Sequence, residues 1–232
     1  MLTIGIDDAG KGPVIGPMII GGVLINEEQE QRLKKDGIKD SKLILHESRI
    51  KLSKLIKENS IASKTIIIEP SEIDSAVESK DNLNTLEARK MAEAINHLNT
   101  SNLHDKQIKV IVDCPSVNTK SWRSKLMSFI KNKDNLTIIC EHKADFNYVS
   151  VGAASILAKV IREEEVAKLK KQFINYGDLG SGYPADPITK DFLKKHGKAL
   201  EKSGIFRKSW RTWKNLYGES KDKKMQSTIA DF

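Results

Sequence analysis

The sequence predicts an α/β protein, one mixed five-stranded sheet flanked by helices, with a small helical region at its C-terminal end. Two patterns lead there. Residues 2–7 (LTIGID), 18–24 (MIIGGVL) and 64–68 (KTIII) are apolar runs of strand length, the first two joined by a short Gly/Pro-rich link, which suits antiparallel pairing. From the third strand onward, strand, helix, strand, helix and strand alternate, which suits a parallel layer beside the antiparallel one.

The elements follow in order. Residues 46–57 set Ile50, Leu52, Leu55 and Ile56 among charges, as a short surface helix does. Residues 84–98 repeat Leu86, Met91, Ala94, Ile95 and Leu98 at helical spacing. Strands at 109–113 (KVIVD) and 136–140 (LTIIC) are separated by a helix over 122–130. The longest helical pattern, 149–173, has Ser150 as its expected cap, and Ala153, Ala154 and Ala158 let its first half lie close against a sheet. Its second half is strongly charged around a stripe of Val166, Leu169 and Phe173 and is expected to emerge into solvent. A turn-rich stretch, 177–187, precedes two short helical patterns and a polar tail that ends in QSTIADF.

Composition excludes several classes. At 232 residues the chain buries roughly 70% of its unfolded surface without needing a metal or disulfide to fold. Lys and Arg number 39 against 31 Asp and Glu, so the surface favours polyanions, nucleic acid ahead of anionic membrane. Cys114 and Cys140 have no C-x-x-C pairing and sit in apolar runs, the pattern of free thiols in a reducing compartment, and the cytosol is the expected location. The N-terminus has acids by its seventh residue and reads as neither secretory signal nor transit peptide, and no apolar run reaches the roughly 20 residues that span a bilayer. The five histidines are scattered without ligand spacing.

Chemistry enters with the aspartates. Asp7 and Asp8 close the first strand, Asp113 closes the fourth, and Asp145 follows the fifth. Strands of one sheet bring their ends together, and uncompensated carboxylates repel, so a divalent cation is the inexpensive resolution; hard oxygen ligands select Mg2+ or Mn2+. Two such ions roughly 4 Å apart activate a water and steady the leaving oxygen of a phosphodiester. A single strand-end aspartate more often caps a turn, but four together, two of them adjacent, favour a metal site. The loop after Asp8 is glycine-rich, yet its spacing is not G-x-G-x-x-G and two acids precede it where a pyrophosphate would be repelled, which excludes a dinucleotide site.

GIDDAGKGPVIGP resembles the N-terminal signature of ribonuclease HII, the type 2 ribonuclease H, written G-I-D-E-A-G-R-G-P. Asp40-Ser41-Lys42-Leu43 resembles the family's D-S-K-x-L, ADFNYVSVGAASILAKVIRE its A-D-x-x-Y-x-x-V-S-A-A-S-I-x-A-K, and GSGYPAD its G-S-G-Y-P-S-D. The blocks keep the family's order from Ile4 to about Trp213, in an archaeal-type single chain. The resemblance implies a ribonuclease H-like catalytic domain over 1–186, a C-terminal helical region over 187–217 and a flexible tail over 218–232. It implies hydrolysis of RNA in RNA/DNA hybrids and incision 5′ of single ribonucleotides embedded in DNA, in ribonucleotide excision repair and primer removal, leaving 3′-hydroxyl and 5′-phosphate ends. Carried over, Asp7, Asp8, Asp113 and Asp145 fall on the acids that hold two Mg2+ or Mn2+ ions, Asp7 shared by both. Gly10, Lys11, Gly12, Lys42 and Tyr183 fall on substrate-binding positions: the loop reads the 2′-hydroxyl through its backbone, Tyr183 stacks at the RNA-to-DNA junction, and Lys42 contacts phosphate. Lys159, Arg207 and Lys208 are lesser candidates for phosphate contact.

The sequence departs from the pattern at two places. Asp8 stands where the family has Glu, one methylene shorter, which bears on how the second ion is held. Lys11 stands for Arg, keeping charge but losing the planar fork. The tail, Gln226 to Phe232, resembles the motif Q-x-x-h-x-x-a-a that binds sliding clamps of the proliferating cell nuclear antigen type, with Gln226 for a polar pocket and Ile229 and Phe232 for an apolar one, though it stops after one aromatic. The expected protein is a monomer without membrane association. A related two-metal nuclease acting on structured DNA, or a hybrid-binding protein weakened at Asp8, are the alternatives; the G-K-G loop and GSGYPAD speak against the first and three intact aspartates against the second.

Overall fold

The computed structural model describes residues 1–38, 46–79 and 81–218. Lys42 with its D-S-K-L block, and the tail carrying Gln226, Ile229 and Phe232, lie outside the described residues. The sheet has strands β1 (Leu2–Ala9), β2 (Met18–Asn26), β3 (Ala62–Ile68), β4 (Ile108–Asp113) and β5 (Leu136–Glu141) in the order β3-β2-β1-β4-β5. β2 runs antiparallel to both β1 and β3, whereas β4 runs parallel to β1 and to β5, so the expected mixed sheet is present with β1 as its hinge.

The helices are α1 (Glu27–Lys35), α2 (His46–Glu58), α3 (Pro70–Glu78), α4 (Leu83–Leu98), α5 (Thr119–Ser128), α6 (Ala144–Asn147), α7 (Val149–Gln172), α8 (Pro187–His196) and α9 (Arg211–Tyr217). α1, α3 and α6 were not anticipated. Two of them carry readable starts: Asn26 and Gln29 form a reciprocal capping box for α1, and Pro70 occupies the first turn of α3.

α4 and α5 cover one face of the sheet, packing Leu86, Met91, Ile95, Leu98, Trp122 and Leu126 against Ile4, Ile6 and Val110. α7 covers the other, at a distance only glycine permits. A Cβ on Gly5 would stand 2.1 Å from the Ser150 carbonyl carbon, and one on Gly21 2.3 Å from the Ala154 oxygen. Ser150 is therefore buried inside α7 and does not cap it; α6 delivers the chain to the helix, and Tyr148 is the backbone N-cap without a side-chain bond.

The second half of α7 also differs from expectation. Val166 and Phe173 are buried and Leu169 is partly so, because this stripe shares a second core with Val14, Ile15, Leu179, Phe192, Leu193, Phe206 and Trp213. The C-terminal helices thus cover the end of α7, and only its charged faces meet solvent. Cys114 is buried and Cys140 half-buried, both free thiols. Among the described residues no helix is long and apolar enough to cross a membrane.

Candidate active site

Adjacent residues of a strand point to opposite faces, so β1 sends its two terminal acids in different directions. Asp7 shares the face of Gly5 and is buried toward α7, where Ser155 lies alongside it; its Oδ1 accepts the Asp8 N–H at 2.8 Å. Asp8 shares the face of Ile6 and is half-buried on the α4 side, within electrostatic reach of Lys11 and Glu87. Val112 is level with Ile6 across the parallel β1–β4 pair, which places Asp113 one step on, beside Asp7. The Asp113 Oδ1 accepts the N–H of Ala144 at 2.9 Å and so fixes the start of α6, whose next residue is the buried Asp145. Sheet register and this one capping bond bring the ends of β1 and β4 and the start of α6 together.

The electrostatics reflect crowding. Burial drives the Asp7 carboxyl well above the usual range, with Asp8 and Asp113 adding to the shift. Burial raises Asp8 to about 6, opposed by Lys11 and reinforced by Asp113. Among the described residues no three His, Cys, Asp or Glu side chains converge to metal-ligating distance, a convergence that the mutual repulsion of carboxylates opposes. The donor set is carboxylate throughout, which fits a hard divalent ion such as Mg2+ or Mn2+ and does not fit a nitrogen- or sulfur-seeking metal.

Glu87 was missed from sequence. It is 0% exposed on α4, its Oε2 takes the Lys11 ammonium at 2.7 Å, and its Oε1 has no hydrogen-bond partner. Burial and the neighbouring Asp8 raise it to about 7. The signal was available: Glu87 stands four residues before Met91 on the apolar stripe of α4 that continues through Ala94 and Leu98, a charge where the pattern calls for a hydrophobe. The Lys11 ammonium accordingly turns toward the acids, and its reach to a phosphate competes with Glu87.

The G-K-G loop is gripped from behind. Gly10 has φ +82°, and a Cβ there would lie 2.5 Å from Cδ of the buried Arg162. Arg207, fully buried, donates to the carbonyls of Gly10 at 2.7 Å, Lys11 at 2.8 Å and Gly16 at 3.0 Å. Trp210 Nε1 donates to the Gly12 carbonyl at 3.2 Å. Arg207 therefore does not meet solvent phosphate as expected; its charge is directed at backbone. Lys208 is exposed, with its N–H on Asp74, and Lys159 is half-buried near Asp8.

Tyr183 completes the rim. It is 42% exposed, its ring lies over the Arg162 guanidinium at 4.8 Å and would be 3.6 Å from a Cβ on Gly12. Its turn is held by Asp186, whose carboxylate accepts from Ser181 N and Oγ, both at 2.7 Å, and from Ile188 N, and these bonds lower it to about 2. The N–H groups of Val14 and Ile15 both reach the Gly182 carbonyl, tying this turn to the loop. Lys11, Gly12 and Tyr183 thus form one surface beside Asp7, Asp8 and Asp113, with Gly10 buried behind it against Arg162.

A family model described as Ribonuclease HII matches residues 4–213. The chain belongs to the ribonuclease HII family. It is 41% identical to the ribonuclease HII of Methanocaldococcus jannaschii over 97% of this chain and 99% of the relative, and 43% identical to that of Methanococcus maripaludis strain C6 over 97% and 90%. Among solved structures it resembles ribonuclease H2 from Pyrococcus horikoshii with a TM-score of 0.79 and 38% identity, covering 93% of this chain and 97% of the other. The ribonuclease HII of the Archaeoglobus fulgidus PCNA complex gives 0.78 and 34%, covering 91% and 96%. A ribonuclease HIII crystallised with Mn2+ shares the fold at a TM-score of 0.68 and 20% identity, covering 93% and 69%. As a ribonuclease HII the chain is a hydrolase of RNA paired with DNA, and its sheet is that of the ribonuclease H fold.

Proposed function

We propose that this ribonuclease HII also incises DNA on the 5′ side of a single embedded ribonucleotide, and that it does so with Asp7, Asp8, Asp113 and Asp145 holding two divalent cations. The observation that carries the reading is the juxtaposition of the strand-end acids with the rim of Lys11, Gly12 and Tyr183. Two Mg2+ or Mn2+ ions, when bound, supply the positive charge that eases ionisation of the attacking water and steadies the leaving oxygen, giving 3′-hydroxyl and 5′-phosphate ends. The chain's own part is positioning. Ser155 and the Asp8 N–H steady Asp7, Ala144 orients Asp113, and the loop backbone lies open to the 2′-hydroxyl. Tyr183 presents a ring, backed by Arg162, on which the sugar beyond the ribose can rest.

Residues 1–186 act as the catalytic body in this reading, 187–217 as the support of its loop, and 218–232 as a tether. Likeness to the PCNA-bound relative supports clamp binding through Gln226, Ile229 and Phe232, and repair or primer removal as the setting. The test is cleavage of three labelled duplexes in Mg2+ or Mn2+: DNA with one ribonucleotide, continuous RNA/DNA hybrid, and DNA alone. Incision 5′ of the lone ribonucleotide, slowed about a thousandfold by Asp113→Asn, is expected. Cutting of hybrid without cutting at the lone ribonucleotide would remove junction sensing from the reading.

A further inference from the structure

Every carbonyl of the Gly10-Lys11-Gly12 tripeptide is taken from behind by a side chain of the segment 207–210. We propose that Arg207 and Trp210 are positioning residues that aim this loop's N–H groups at the ribose, and so set how strongly the site prefers a ribonucleotide over a deoxyribonucleotide. The inference rests on the ribonucleotide-sensing reading above.

The geometry follows from peptide planarity. No peptide bond among the described residues is cis, so each N–H points opposite the carbonyl of its own peptide unit. With the Gly10 and Lys11 carbonyls on the Arg207 guanidinium, the Lys11 and Gly12 N–H groups must face away from it, toward the open side. Neither makes a hydrogen bond among the described residues. Two adjacent outward N–H donors suit a hydroxyl or phosphate oxygen.

Arginine is the side chain this grip demands. Its flat fork serves three carbonyls from three separate nitrogens, Nε, Nη1 and Nη2, where a lysine offers its three donors from a single one. A buried guanidinium is an expensive way to fill space, since a hydrophobe of similar volume often packs as well or better. Burial and the charge of Arg162 pull Arg207 down to about 10, so it stays protonated at neutral pH. Asp74 makes no hydrogen bond to the guanidinium and accepts instead from Lys208 N, Ser209 N and Ser209 Oγ, which anchors the segment itself to α3. The Trp210 ring lies against the guanidinium at 5.1 Å, so one aromatic both backs Arg207 and donates to Gly12.

Trp210→Phe and Arg207→Lys test this, measured as the ratio of dissociation constants for all-DNA duplex and for the same duplex with one ribonucleotide, in an Asp113→Asn background with chelator present so that neither duplex is cut. Trp210→Phe keeps a ring over the guanidinium and removes the Nε1–H together with part of the indole's packing; the preference is expected to fall about threefold, and for Arg207→Lys about tenfold. Affinity for all-DNA duplex should stay within about twofold, and in the cleaving protein the loss should enter KM more than kcat. Equal weakening on both duplexes, or a lower Tm with the preference unchanged, would overturn the proposal. If Arg207→Lys does not fold, Trp210→Phe decides alone. A parent protein that itself shows no preference marks failure of the ribonucleotide-sensing reading instead.

Discussion

Two neighbouring regions solve opposite problems with the same residue type. At the strand ends, burial pushes Asp7 and Asp8 upward, helped at Asp7 by the charges of Asp8 and Asp113 and at Asp8 by that of Asp113, so ionisation there works against the fold. At the rim, Asp186 is lowered to about 2 because four donors converge on it, so ionisation there supports the fold. The first region carries unspent electrostatic tension, which a cation can relieve; the second is satisfied within the protein and needs nothing added. Reactivity thus sits on the rigid sheet, and shape sits in loops braced by the C-terminal segment.

The largest break of this contrast is Asp113→Asn. The amide keeps the Oδ1 that accepts from Ala144 and discards only the charge. Cleavage should fall by about three orders of magnitude, on the order of 4 kcal/mol of barrier, while the metal-free protein should melt no lower than the parent, because a repelling charge has left. An equal loss of activity and of Tm would mean that Asp113 matters as a cap alone.

The next effect is in the pH dependence of stability, with opposite signs for the two regions. Asp8 titrates near 6 when folded against 3.8 as reference, so the unfolded chain gives up its proton first and stability falls as pH rises from about 4 through 6. Replacing it by Asn should flatten that fall, recovering on the order of 2 kcal/mol at pH 7 in metal-free protein. Asp186 runs the other way: its contribution is present above about 4 and lost as pH drops through 2, and Asp186→Asn should remove that acid-side loss and lower stability at neutral pH. Chemical denaturation across pH 3 to 8, with chelator present, reads both; a common sign for the two variants would end the comparison. Mg2+ should raise Tm more at pH 7.5 than at pH 5, where protons compete for the same oxygens.

The sheet and its acids were legible because each rests on local information. Short apolar runs of strand length mark β1 to β5, and an aspartate after the last apolar residue of a strand needs only the sheet's parallel order to find its neighbours. The rim was legible only as a motif. Nothing near Arg207 in the chain announces that it reaches back almost two hundred residues to the Gly10 and Lys11 carbonyls, and its basic neighbours made it look like a phosphate contact. The end of α7 misled for the same reason: the core that buries Val166, Leu169 and Phe173 is built by Phe192, Phe206 and Trp213, which arrive from later in the chain. Glu87 failed differently, since its signal lay in the helix pattern itself, hidden by Leu86 and Ala88 on either side.

Glu87 supplies the smallest prediction and the sharpest, because its ion pair with Lys11 joins the two regions. Glu87→Gln keeps the side chain's volume in the core and removes the charge that holds the Lys11 ammonium. The ammonium is about one-third exposed, 36%, and can turn to solvent without unfolding anything, so the stability change should be small. Its release frees one cation at the mouth of the site. Affinity for duplex should rise about two- to threefold, and the slope of log affinity against log salt should steepen by about 0.9, the value for one added phosphate contact. An unchanged slope with unchanged affinity would mean that Lys11 already reaches phosphate while paired, and that Glu87 serves the strand-end acids rather than the rim.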